Sequence, residues 1–107
     1  MDTNEKLRQF MERMQRIRPP YGSLAHNGIP SMGESNVAAE RTQEMQRLAV
    51  YFARSYQSKT ATLEDVRIRA EELEAVIMTV ATYGVMDASQ TDELLDAMQE
   101  LIQHRGE

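Results

Sequence analysis

Leu63, Val66, Ala70, Leu73, Ile77 and Val80 follow one another at alternating steps of three and four residues. That spacing keeps one apolar seam on one side of a helix, aimed at another helix. Three further stretches share the rhythm. Leu7, Phe10, Met11, Met14 and Ile17 lie on one face of a helix from about Asn4 to Ile17. Met45, Leu48, Ala49, Phe52, Ala53 and Tyr56 stripe a second helix that ends near Gln57. Leu94, Leu95, Met98, Leu101 and Ile102 stripe the last one. No run alternates apolar and polar residues, so no strand is expected. The pattern predicts an all-α fold, a small bundle of four helices in one domain spanning 1–107. Its parts are an N-terminal helix (1–18), a long Pro/Gly-rich loop (19–36) and a three-helix core (37–107).

The punctuation agrees with these bounds. Asp2 or Thr3 can cap helix one, and Pro19 pushes Arg18 out of helical geometry. All three prolines and three of the five glycines fall within 19–36. Tyr21, Leu24, Ile29 and Met32 interrupt that polar stretch, which is either an ordered strap or a tether letting helix one swing or swap. Ser35 or Asn36 is expected to cap helix two. Thr62 caps helix three with Asp65 three residues on, flanked by an Ala61–Val66 apolar staple. Gly84 supplies a left-handed stop, with Val85 folding back on Val80. Ser89 is expected to cap helix four, with Asp92 at its third position. His104 and Arg105 suit the negative end, and Gly106 stops it.

Some residues do not fit. Arg41 falls near the centre of helix two's apolar stripe, where it either snorkels or pairs with a carboxylate. Val50, Tyr51, Ile68 and Met78 lie off the stripes, with Arg47 and Arg54 beside the first two. Burying one such side chain contributes roughly 1.5–3 kcal/mol. Either the bundle encloses the middle helices on several sides, or they carry a second apolar surface. Eight methionines in 107 residues suit an adaptable contact surface, though methionine also fills cores. The expected partner or dimer interface is therefore Val50, Tyr51, Arg54, Ile68 and Met78, with Phe10 and Met14 from helix one.

Charge adds a polarity to the chain. The net charge is −5. Residues 60–107 hold three basic and eleven acidic side chains, for −8, so residues 1–59 carry +3. This is either ordinary solvated surface or a dipolar molecule that offers an acidic face to a basic partner or pairs its own halves. There is no cysteine, so disulfides and thiolate metal sites are excluded. Five basic residues and no apolar run in the first 20 argue against a secretory leader. The apolar uncharged stretch Ala75 to Met86 is 12 residues and too short to span a membrane. A cytoplasmic protein is expected.

Catalytic, metal and nucleotide motifs are absent from the sequence. His26 lies in a Gly/Asn loop and His104 at a helix end, both expected in solvent, and no Glu-x-x-His pair exists. Glu71, Glu72 and Glu74 read as a charged helix face rather than an acid–base pair. Val80 to Leu95 has the outline of a helix-turn-helix, but its second helix carries Asp92, Glu93, Asp96 and Glu100, which would repel phosphate. Neither enzyme activity nor a cofactor is expected. The reading is a protein-binding regulator, an inhibitor or anti-activator that masks a surface of another protein, such as a transcription regulator, by helix-on-helix docking. A homodimer is expected, with nucleic acid disfavoured and no membrane contact. Two alternatives stand beside it: a secretion-type chaperone for a helical client, and a DNA-binding dimer using Arg8, Arg13 and Arg16 of helix one.

Overall fold

The computed structural model describes residues 3–18 and 32–106, with side chains from 37 onward in the second stretch. Four helices are present among the described residues: α1 (Thr3–Arg16), α2 (Met32–Gln57), α3 (Leu63–Thr82) and α4 (Ala88–Gly106). Each packs on the next and α4 returns to α1, so the four close a ring around one core. Neighbours run antiparallel. Lys6 near the start of α1 reaches Glu100 near the end of α4, and Gly106 lies against Leu63 at the start of α3. Gln46 in the middle of α2 bonds the carbonyls of Met14 and Ile17 at the far end of α1. This is the up-down-up-down arrangement of a four-helix bundle.

The four stripes meet in the middle. Leu7, Phe10 and Met14 of α1 join Met45, Ala49, Phe52 and Tyr56 of α2. The α3 seam from Val66 to Val80 is buried against them, as are Leu94, Met98, Leu101 and Ile102. Leu63, which opens the heptad, packs on the core's edge. Phe52 stacks edge-on to Phe10 at 5.8 Å between centroids and tilts against Tyr56 at 5.9 Å, a geometry that favours ring edges on ring faces.

The helix ends follow local chemistry. The Arg18 guanidinium donates to the carbonyls of Gln15 and Ile17, satisfying acceptors that α1 leaves open. The Thr62 hydroxyl accepts from the Asp65 amide at 3.1 Å, and the Asp65 carboxylate accepts from the Thr62 amide at 2.9 Å. That completes the expected box. Gly84 takes φ +75°, and its amide donates to the Ala81 carbonyl.

Several expected boundaries are corrected. Residues 32–36, read as loop, are helical, so α2 starts ahead of Ser35 and Asn36. Serine and asparagine inside a helix cost only about 0.5 kcal/mol each, too little to stop it. The rest of the 19–36 loop lies outside the described residues, as does His26. Helix four is capped by Asp87, not Ser89: Gln90 donates its amide to Asp87 at 2.8 Å and its side chain accepts from the Asp87 amide at 3.1 Å. Asp and Ser cap equally well, and a glutamine three residues after Asp87 makes the bonding reciprocal. This register also turns Thr91 onto the core, with its hydroxyl bonded to the Asp87 carbonyl. Arg41 is exposed and paired with Glu44 at 2.5 Å, while Ala38 and Thr42 take the buried positions beside it.

Phe52→Ala should destabilise the fold by about 3–5 kcal/mol, the usual cost of emptying an aromatic core site, read from the urea midpoint. Gly84→Ala meets no atom within 4 Å, so its cost is the backbone conformation alone, about 1–2 kcal/mol, measured the same way.

Candidate partner-binding surface

The α2 and α3 helices leave their outer sides uncovered by α1 and α4. Tyr51, Ile68 and Met78 are 39%, 46% and 50% exposed, and Tyr83 just past α3 is 40% exposed. Tyr51 and Ile68 face one groove between the two helices, together with Arg54, Asp65, Arg69 and Glu72. The Arg69 guanidinium lies 5.8 Å from the Tyr51 ring centroid and donates to Glu72 at 3.2 Å. A cation over a ring holds that ring's face toward the groove.

The remaining expected interface residues lie elsewhere. Val50 is half-buried on the other flank of α2, four residues from Gln46 and so on the α1 side. Met78 stands four residues after Glu74, which lines the seam between α3 and α4 with Gln99 and Ile102. It therefore points toward α4, away from the Tyr51 groove. Phe10 and Met14 are 2% and 0% exposed within this chain's own core. The structure thus brings Tyr51, Arg54 and Ile68 together and separates them from the other four.

One feature was missed at the level of single residues. From Ala75 to Tyr83 the outward side of α3 carries no charge. The Thr79 hydroxyl donates to the Ala75 carbonyl at 3.0 Å and that of Thr82 to the Thr79 carbonyl at 2.6 Å. Both hydroxyls are thus satisfied by their own helix. Together with Ala75, Met78 and Tyr83 they make a strip without an ionised group. The uncharged run Ala75 to Met86 was the signal for it.

The ends of the bundle carry its other polar clusters. At one end the Arg105 guanidinium donates to the carbonyls of Ser58 and Ala61 at 3.0 and 2.8 Å, holding the α2–α3 connection. It also lies 5.8 Å from the ring of Tyr56, whose hydroxyl donates to the Leu101 carbonyl at 2.8 Å. Near it, Lys6 bonds Glu100 at 2.6 Å and approaches His104 Nε2 at 3.0 Å. Expected in solvent, His104 is half-buried in this α1–α4 contact. The hydrogen bond and charge of Lys6 hold the Glu100 carboxyl below its ordinary value. At the other end Arg13, Arg16 and Arg18 surround a cleft floored by Ile17, Val85 and Leu94, with Glu93 on its rim. Arg8 is instead matched by Glu5 and Glu12 of its own helix.

Among the described residues no group of three or more His, Asp or Glu could hold a metal ion, and no helix is long and apolar enough to cross a membrane. Comparison with known proteins gives no match: no family model, no curated protein and no solved structure matches the chain.

Burial pushes the Tyr56 phenol above its usual 10, and the Arg105 charge offsets this only in part. As pH rises past 10, the unfolded chain releases this proton while the folded chain keeps it, so stability falls. Tyr56→Phe should cost about 1 kcal/mol at neutral pH for the lost hydrogen bond. It should also shed its share of the alkaline decline, checked by urea titrations at neutral pH and above pH 10.

Proposed function

We propose that this chain is a protein-binding regulator that masks a surface of another protein by docking helix on helix. The observation that carries the reading is the uncovered outer side of α2 and α3. There, four large apolar side chains stand between 39% and 50% exposed. Leaving them in water forgoes several kcal/mol of burial, at about 1.5–3 kcal/mol for each side chain fully covered. Clustered exposed apolar side chains mark interaction sites. The strip around Met78 is the contact for the heterologous partner. It is uncharged, and the Thr79 and Thr82 hydroxyls are bonded to their own helix, so an apolar helix face can settle on it without stranding them. The strip belongs to the acidic half of the chain, −8 over residues 60–107, which favours a partner with a basic rim.

A photo-crosslinking amino acid in place of Met78 should capture one defined protein in extracts of the source cell. The same probe in place of Asp96, on the exposed acidic side of α4, should not. Equal capture at both positions, or none at 78, defeats the reading. Adding the chain to the purified partner should then lower that partner's activity. A gain in the partner's solubility on co-expression, without loss of activity, would mark a chaperone instead.

A further inference from the structure

We infer that the Tyr51–Ile68 groove is the seat of a second copy of this chain, related by a two-fold axis that runs along the groove. The inference rests on the reading of α2 and α3 as a docking side, and it assigns the groove half of that side. The argument is charge placement. On the outer side of α2 stand Arg47 and Arg54, both exposed and with no ion-pair partner among the described residues. Beside them on α3 stand Asp65 and Glu72, also exposed. The α2 wall is basic; the α3 wall is net negative, with Asp65 and Glu72 against the one Arg69 that bonds Glu72, and the apolar pair Tyr51 and Ile68 shares the groove with them.

The levels of these residues follow from one contact. Tyr51 touches Arg69, and the two helices run antiparallel. Each step back along α2 therefore matches a step forward along α3, since both rise equally per residue. Arg54 stands level with the Asp65–Val66 turn, and Arg47 with Glu72–Leu73. A two-fold axis parallel to the helices lays α2 of one copy over α3 of the other and leaves every level unchanged. Arg54 then faces Asp65 of the second copy, Arg47 faces its Glu72, and Tyr51 covers its Ile68. Every contact occurs twice, as an isologous interface requires.

The competing arrangement fails on the same residues. An axis crossing the helices at the level of Tyr51 would lay α2 on α2 and α3 on α3. Arg47 would then meet Arg54, and Asp65 would meet Glu72, like charge on like. Opposed charges select the first axis and reject the second. Met78 itself points to the α4 side, away from the groove.

Light scattering and sedimentation of the whole chain test this. The expected result is a two-chain mass at high concentration that falls to one chain on dilution and more readily in high salt. Arg47→Glu and Glu72→Arg should each weaken the dimer by about tenfold or more, the scale of one interfacial charge pair. The double variant Arg47→Glu/Glu72→Arg should restore it, because the pair is opposite again. Circular dichroism melting of each variant separates lost association from lost folding, and the double variant's recovery could not come from a misfolded chain. A chain that stays single at every concentration overturns the inference. So does a dimer indifferent to both reversals, or one the double variant fails to restore. Crosslinking at position 78 reads the partner strip independently, so either conclusion can fall while the other stands.

Discussion

The Phe52 ring is where the bundle closes. It is fully buried, meets Phe10 of α1 on one side and leans on Tyr56 of its own helix on the other. The second, third and fourth helices are joined by connections of five residues each, at 58–62 and 83–87. Such short links make neighbours pack antiparallel without further instruction. α1 has no short link to hold it. Its place depends on what Leu7, Phe10 and Met14 can bury, and on the fit of one aromatic edge against another. Gln46 and the Lys6–Glu100–His104 contact then fix its height and its angle against α2 and α4.

Much of this was readable in the sequence because helical cores are periodic. Every stripe position from Leu7 to Ile102 is buried or packed on the core's edge. The box at Thr62 and the stop at Gly84 were legible because each depends on residues three or four apart. What failed was choice between near-equal local options. Asp87 and Ser89 are both good caps, and only the packing of Thr91 decides between them. Ser35 and Asn36 could start a helix or continue one, and their chemistry is silent on which.

The surface was legible only in part. Periodicity identified Tyr51, Ile68 and Met78 as misfits, and all three are exposed. It could not say that Tyr51 and Ile68 share a groove while Met78 faces another way. That depends on how α2 and α3 are rotated about their axes, which the Tyr51–Arg69 contact shows directly. His104 was placed in solvent because it lies at a helix end; α1 covers it from 98 residues away. Long-range partners of this kind leave no trace in local spacing.

The contact between Lys6 and Glu100 spans 94 residues of chain. A ribosome releases the first of these well before the second, at about 5–20 residues per second. Throughout that interval the α1 side chains Leu7, Phe10 and Met14 have no fourth wall to close over them. The bundle therefore cannot close before α4 has emerged; its earliest helix must wait for its latest, greasy side out.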